Sequence, residues 1–312
     1  MTSKSHLEKI DGILLLDKPF DTTSNGALQR IKHLFAAKKA GHTGSLDPLA
    51  TGMLPICFGE ATKICQFLLE SEKYYLVTAQ LGVRTTTGDA EGEVLSTRPV
   101  IGVTREGIEQ CLEQFKGAIE QIPPMYSAVK FNGKPLYKLA RRGIEIERQP
   151  RLVQIHALSL NAFEGDTFVI EVHCSKGTYV RTLVEDIGNV LGCGAHVSRL
   201  RRSAVAPYQD SVMYTLPELE EIREKQGLEA LRRYLLPLES SVQNYPAIKL
   251  TTAATFYLRM GQPVMATHIR SNGLIRLFSD NGEFMGIGEM LDDGRVTPRR
   301  LVGYTKKIAK AV

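Results

Sequence analysis

At 312 residues and 34.6 kDa the chain is longer than one ordinary hydrophobic core supports, which predicts two units. Hydrophobic residues at 43% and charged residues at 23% exclude bulk disorder. A mean hydropathy of −0.12, with no apolar run near the ~18 residues of a membrane span, leaves no helical membrane segment to expect.

The run Ile13 to Leu16 is closed at once by Asp17 and Lys18, so it does not read as a secretory leader, and a cytoplasmic protein is expected. Thr23 or Ser24 caps a helix whose apolar positions are Ala27, Leu28, Ile31, Leu34 and Phe35. A Gly- and Pro-dense loop is expected from Gly41 to Pro55, then a helix over Glu60 to Leu69 with Ile64, Phe67 and Leu68 inward. Tyr75, Val77, Ala79 and Leu81 alternate as a strand. Thr104 opens a helix with Ile108, Leu112 and Phe115 inward.

Ile122-Pro123-Pro124 breaks the pattern, and the stretch Pro123 to Leu152 follows. It holds Lys130, Lys134, Lys138, Arg141, Arg142, Arg148 and Arg151 against only Glu145 and Glu147. That segment therefore carries the whole net charge of +5, at an overall pI of about 8.9. A concentrated excess points to a polyanionic partner, although a merely solvated basic face reads the same way. Within it, Leu136 to Arg142 predicts a short helix stopped by Gly143, with Lys134, Lys138, Arg141 and Arg142 at helical spacing.

Phe168, Ile170, Val172 and Cys174 alternate as a second strand. Thr178 to Leu191 predicts a helix with Thr178 as N-cap, Arg181 at N3, and Val180, Leu183, Val184, Ile187 and Leu191 buried. Pro217 opens a helix expected to run to about Tyr234. Character changes near Pro246. A short helix from Thr252 to Met260 precedes strands Leu274 to Ser279 and Glu283 to Ile287 around Asp280-Asn281-Gly282, a hairpin signal. Asp293-Gly294 turns into a last strand, Arg295 to Tyr304. The expectation is a mixed α/β (α+β) unit over 1–245 with a small β-barrel over 246–312.

Cys57, Cys65, Cys111, Cys174 and Cys193 are odd in number and form no CxxC pair, and the seven His form no HExxH. No spacing announces a disulfide framework or a metal site. The segment from Gly41 to Pro55 is the candidate for chemistry. Asp47 precedes a proline in a loop with Gly41, Gly44 and Gly52, which displays its carboxylate off any helix. By spacing alone an Asx-turn residue is the favoured reading. Tyr75 reads equally as a core tyrosine, Arg181 as a surface arginine, and His42 as a loop histidine.

Five blocks in order resolve these alternatives by resemblance. Gly41-His42-Thr43-Gly44-Ser45-Leu46-Asp47-Pro48-Leu49-Ala50-Thr51-Gly52-Met53-Leu54-Pro55 resembles motif II of the TruB family of pseudouridine synthases, the bacterial tRNA pseudouridine-55 synthases. Gly12 to Pro19, Lys73-Tyr74-Tyr75, Ser175 to Arg181 and Leu200-Arg201-Arg202-Ser203 resemble further blocks of that family. The tail from Pro246 to Val302, with Phe284 to Glu289, is similar to a PUA RNA-binding domain. Asp21 departs from a usual Gly, and Ala206 and Tyr208 from common Gly and Phe.

The resemblance implies a pseudouridine synthase core with a largely antiparallel sheet. It implies isomerisation of uridine 55 in the T arm of tRNA by base flipping, with no cofactor and no metal. Asp47 would be the catalytic carboxylate, Arg181 its partner, holding its pKa down, and Tyr75 the stacking ring. His42 would fill the vacated base stack, Leu200 would pack beside the uracil, Tyr179 belongs to the substrate site, and Lys18 would shape the pocket floor. Segment 123–152 would be an RNA-gripping thumb, with Lys130, Lys134, Lys138, Arg141 and Arg142 on phosphates. Arg295, Arg299 and Arg300 would reach the acceptor arm. A monomer without obligatory protein partner or membrane is expected. The rivals are a guide-RNA-dependent relative and a non-catalytic RNA-binding or tRNA-folding protein.

Overall fold

Ile13 and Leu15 alternate with Leu14 and Leu16, yet all four are at most 2% exposed, as a strand buried on both faces requires. This strand, β1 (Gly12–Lys18), lies inside a nine-stranded mixed sheet. The computed structural model describes residues 7–266 and 273–303. In chain order it continues with α1 (Ser24–Leu34), β2 (Ala40–His42), β3 (Thr51–Phe58), α2 (Cys65–Glu70), β4 (Lys73–Leu81), a small pair β5 (Val83–Thr85) and β6 (Val94–Thr97), α3 (Arg105–Glu113) and β7 (Gly117–Gln121). The basic segment holds β8 (Lys130–Phe131), β9 (Lys134–Pro135) and α4 (Leu136–Ala140). Then come β10 (Arg151–Glu164), β11 (Thr167–Cys174), α5 (Val180–Val190), β12 (Ala195–Val205), β13 (Tyr214–Thr215), α6 (Leu216–Gln226) and α7 (Leu228–Arg232).

The large sheet runs β13-β1-β3-β12-β4-β11-β10-β7, with β2 on β3. Only β1–β13 and β3–β12 are parallel, so the sheet is largely antiparallel as expected. One face packs Leu14, Leu16, Val77, Ala79, Ile170 and Val172 with α1, α3 and α5. The other packs Ile13, Leu15, Met53, Ala204 and Tyr208. On α5, Leu183, Val184 and Ile187 are 0% exposed; truncating Leu183 or Ile187 to Ala would cost about 2–5 kcal/mol.

After residue 246 a separate five-stranded sheet forms. Its members are β14 (Ala247–Lys249), β15 (Val264–Met265), β16 (Gly273–Phe278), β17 (Phe284–Met290) and β18 (Arg295–Leu301), with α8 (Thr252–Arg259) beside them. Its order, β14-β16-β17-β18-β15, leaves a PUA-like half-barrel among the described residues. The β16–β17 hairpin is present. Its turn, however, has positive φ only at Gly282 and closes through Ser279 N–H to the Glu283 carbonyl, a three-residue loop with a bulge. No helix among the described residues is long and apolar enough to cross a membrane.

The elements differ from expectation where a backbone rule competes with a periodic one. The helix expected over 60–69 is a 3-10 turn, Gly59–Lys63, followed by α2. The helix from Pro217 is interrupted at Gly227, φ 83°, between α6 and α7. The expected loop 41–55 is strand in β2 up to His42 and again from Thr51 onward, with Pro55 opposite Leu15 in β1. In the basic segment Lys134 lies on β9 and not on the helix; Asn132 and Gly133, φ 49° and 77°, make a tight turn between β8 and β9. The last strand ends at Leu301, and Tyr304 lies outside the described residues.

Candidate active site

The Asp47 loop is fixed on both flanks. Leu46 N–H donates to Ser24 Oγ at 2.7 Å, and Ser24 Oγ donates to the Leu46 carbonyl at 3.0 Å. On the other side the Pro48 carbonyl accepts from Lys18 Nζ at 3.2 Å and from Asp21 N–H at 3.0 Å. Asp21 sits at φ 55°, a left-handed conformation that explains why Gly is usual at this place. Lys18 is fully buried and also donates to the Pro19 and Thr22 carbonyls. It holds the loop from beneath. Burial lowers its pKa to about 8, with Asp47 the strongest opposing influence.

Arg202, 1% exposed, braces the same loop from the sheet. Its Nε donates to the Met53 carbonyl at 2.7 Å and its Nη2 to the Gly44 carbonyl at 3.0 Å. The close approach of β3 to β12 at this point depends on Gly52, φ 99°, where a Cβ would stand 2.2 Å from the Arg202 carbonyl oxygen. Gly52 is therefore required by contact as well as by conformation.

Arg181 enters from α5. Tyr179, not Thr178, is the N-cap, so Arg181 is the second helical residue. The Thr178 hydroxyl instead donates to the Ser175 carbonyl at 3.0 Å. Gln121, 2% exposed on β7, fixes the helix start by accepting from Tyr179 N–H at 3.0 Å. Arg181 Nε meets Asp47 Oδ2 at 3.0 Å. Its fork is otherwise engaged: Nη1 donates to the Thr87 carbonyl and Nη2 to the Tyr126 carbonyl, both at 2.7 Å. Nη1 also stands 3.7 Å from Asp89 Oδ2. The Arg181 side chain is 6% accessible and that of Asp47 is 42%, so the carboxylate presents an open flank.

Arg181 lowers the Asp47 pKa as expected, but burial outweighs it. Burial against the cleft wall raises the carboxyl above its usual range; Arg181 and then Lys18 counter it, and the negative charge of Asp89 adds to the rise. Burial also pushes the Tyr75 phenol up, which keeps it protonated. For His42, burial and then Arg202 lower the pKa and favour the neutral ring.

Asp47, Tyr75, Tyr179, Arg181, Leu200 and Arg202 line one cleft of about 400 Å³. Leu200 pairs with Val77 and Arg202 with Tyr75, so β12 delivers two of them and β4 a third. Tyr126, Ser127 and Ala128, from the root of the basic segment, complete the wall, and the Ser127 hydroxyl is buried with no hydrogen-bond partner among the described residues. His42 and Lys18 do not reach the cleft. His42 lies at the end of β2, its Nδ1 buried with no partner among the described residues.

Lys130, Lys134, Lys138, Arg141 and Arg142 are all exposed on the basic segment, and none of them lines the cleft. Arg148 is not available in the same way, since it donates to the Pro123 carbonyl at 3.2 Å and ties the segment's two ends. In the C-terminal unit Arg295 pairs with Asp293 at 2.6 Å and Arg299 with Glu289, whereas Arg300 is exposed.

Sequence reasoning missed Asp89, Gln121 and the bracing role of Arg202. Asp89 is 2% exposed, and accepts from the Thr87 hydroxyl and from Glu91 N–H at 3.1 Å. In Gly88-Asp89-Ala90-Glu91-Gly92 it looks like any turn aspartate. For Arg202 a signal existed, two adjacent arginines on a strand, of which alternation must turn one inward.

Comparisons with known proteins accord with this geometry. The TruB family pseudouridylate synthase N-terminal domain matches residues 32–180, the tRNA pseudouridylate synthase B C-terminal domain matches 181–243, and a pseudouridine synthase II TruB C-terminal domain matches 246–302. A Coxiella burnetii protein named tRNA pseudouridine synthase B is 54% identical over 306 residues, covering 97% of this chain and 99% of that protein. One of the same name from Ectopseudomonas mendocina is 56% identical over 297 residues, covering 95% and 96%. A crystal structure of a Cbf5-Nop10-Gar1 complex contains a chain with TM-score 0.71 at 25% identity, covering 97% of this chain and 87% of that one. An H/ACA RNP bound to a substrate RNA containing 2'-deoxyuridine shares the fold with TM-score 0.72 at 23% identity, covering 95% and 86%. With three matched domains from residue 32 to 302 and more than half of all positions shared with full-length relatives, the chain belongs to the TruB family of pseudouridylate synthases.

Proposed function

We propose that this protein isomerises uridine 55 of tRNA to pseudouridine in the T arm, acting in the cytoplasm as a stand-alone monomer. The observation that carries the reading is the half-open Asp47 carboxylate held by a buried Arg181 at 3.0 Å in a cleft of about 400 Å³. That volume suits one flipped nucleoside, and the full-length relatives named tRNA pseudouridine synthase B supply the substrate class.

In the reaction the N1–C1′ bond breaks, the uracil turns, and C5 bonds to C1′. C5 loses its proton to solvent and N1 gains one, so atoms balance without any imported group. Asp47 serves either by covalent addition or by taking the C2′ proton to give a glycal. Both routes need the ionised carboxylate, which Arg181 and Lys18 favour against the burial that opposes it. Tyr75 stacks on the base, worth about 1–3 kcal/mol, and Leu200 packs apolar surface beside it. His42, outside the cleft, is left for the vacated stack.

Residues 1–245 form the catalytic domain and 246–312 the RNA-binding domain. Segment 123–152 is a thumb whose exposed Lys130, Lys134, Lys138, Arg141 and Arg142 meet phosphates. Of Arg295, Arg299 and Arg300, the first two are paired with Asp293 and Glu289, and Arg300 makes no ion pair among the described residues. Pseudouridine and uridine have equal mass, so the test is release of tritium from C5-labelled uridine in a bare T-arm transcript by the pure chain. Turnover supports the stand-alone reading. Binding without release returns the assignment to an RNA-binding or guide-dependent protein.

A further inference from the structure

On the sheet face opposite the cleft, two imidazoles and a carboxylate converge. Tyr75 faces the cleft; Tyr74, its neighbour in β4, therefore points the other way and stacks on His173 of β11 at 4.1 Å and 13°. His173 Nε2 stands 2.7 Å from Glu72 Oε2, and His156 Nε2 stands 3.3 Å from Glu72 Oε1. The two imidazole rings are 4.7 Å apart. A donor atom from each of the three lies within 4.8 Å of the others.

The backbone brings His156 to this place by an irregularity. Ile155 pairs with Cys174 and Ala157 with His173, so His156 is the extra residue of a bulge in β10. A bulge re-aims a side chain that regular alternation would send elsewhere. His156 and His173 thereby share a face, and Glu72, just before β4, reaches both.

We propose that Glu72, His156 and His173 form a binding site for one divalent transition metal of the zinc type. Two neutral imidazole nitrogens and one carboxylate oxygen are the donor set such ions take, with the remaining coordination left to water. Donors around a tetrahedral zinc are about 3.4 Å apart, from metal–ligand distances of about 2.1 Å. The His156–Glu72 spacing already meets this, and small rotamer changes open the His173–Glu72 pair to it. Side-chain accessibilities of 32%, 24% and 45% leave an entry path for the ion. The three ligands belong to β10, β11 and the residue before β4, so the ion ties neighbouring strands. β4 carries Tyr75, and β11 runs into Ser175 to Arg181 beside the cleft. The role is a clamp on the sheet and takes no part in the isomerisation.

The test titrates Zn²⁺ into the full chain, stripped with chelator, by calorimetry, beside His156→Ala and Glu72→Gln. Neither residue belongs to the catalytic machinery, and circular dichroism verifies that each variant folds. Wild type should bind one ion per chain and gain melting temperature with it, and each variant should bind more than about tenfold more weakly. Co²⁺ should give the visible spectrum of nitrogen and oxygen ligands. No heat of binding, equal affinity in wild type and both variants, or a thiolate-to-cobalt charge-transfer band would each overturn the site. Tritium release is read separately, so failure here leaves the proposed reaction standing.

Discussion

The loop that carries Asp47 and the segment 123–152 line the same cleft, and neither is built from long helices or strands. The loop is tied by Ser24, Lys18, Asp21 and Arg202, three of them buried. The segment is fixed mainly at its root, by Arg148 on Pro123, by Tyr126 on Arg181, and by Leu136, 1% exposed. Its other cations stay in water. A reacting carboxylate must be held within a fraction of an ångström, whereas phosphate contacts tolerate adjustment. The contrast predicts that changes in the loop abolish turnover and spare affinity, and that changes in the segment do the reverse.

The largest effect is expected at the carboxylate. Asp47→Asn keeps the shape and removes the charge. Tritium release should fall at least about 10³-fold while tRNA affinity stays nearly intact. A residual rate within about tenfold of wild type would place the chemistry elsewhere.

Arg181→Lys comes next. The guanidinium meets three partners at once, Asp47 through Nε and two carbonyls through its fork. A lysine ammonium keeps the charge but not this planar arrangement. Single-turnover rate should drop about 10²-fold, and a near-normal rate would reduce Arg181 to a helix-start residue.

How much of this contrast was legible in the sequence depends on which rule governs each residue. Asp47 was visible because a proline and three glycines surround it. Tyr75 was visible because alternation with Val77, Ala79 and Leu81 fixes its face. The roles of Asp47 and Arg181 came from block resemblance. Their mutual contact is long-range, and no local pattern encodes it. Asp89 and Gln121 stayed hidden for that reason: one carboxylate in a turn and one amide at a strand end acquire meaning only when α5 docks over them. Pro55 and Gly52 misled in the other direction. Both suggest loop, yet Gly52 is in β3 because Arg202 of β12 leaves no room for a Cβ. In the segment, Asn132-Gly133 carried the same hairpin signal that located the turn before Glu283, and the basic residues around it masked it.

A smaller effect separates charge from geometry inside the loop. Asp47 must be ionised, so activity is present above its pKa and lost as pH falls through it. Burial raises that pKa, and the acidic limb should lie above the ~4 of a free carboxylate. Asp89 contributes to the rise. In Asp89→Asn the limb should therefore move to lower pH. A single-turnover pH profile of both proteins checks the sign. A limb that moves upward would show that Asp89 acts by holding Arg181 in place and not through its charge on Asp47.

The smallest effect on chemistry belongs to the segment. Lys134, Lys138 and Arg142 are exposed, make no ion pair among the described residues, and lie outside the cleft wall. If each neutralises one phosphate, changing all three to Ala removes three released counterions from the binding equilibrium. The slope of log affinity against log salt should then fall in magnitude by roughly 2–3, at about 0.7–0.9 per contact. Affinity drops most at moderate salt. At saturating enzyme the single-turnover rate should change less than about threefold, because the segment's contacts to the cleft run through Tyr126 and Ser127, which remain. Melting temperature should move by less than about 3 °C, since exposed cations contribute little to folding. Parallel salt lines for wild type and triple variant would mean that these cations never meet the RNA. A rate loss as large as that of Arg181→Lys would mean that the segment orders the cleft itself, and the division between a fixed floor and an adjustable grip would fail.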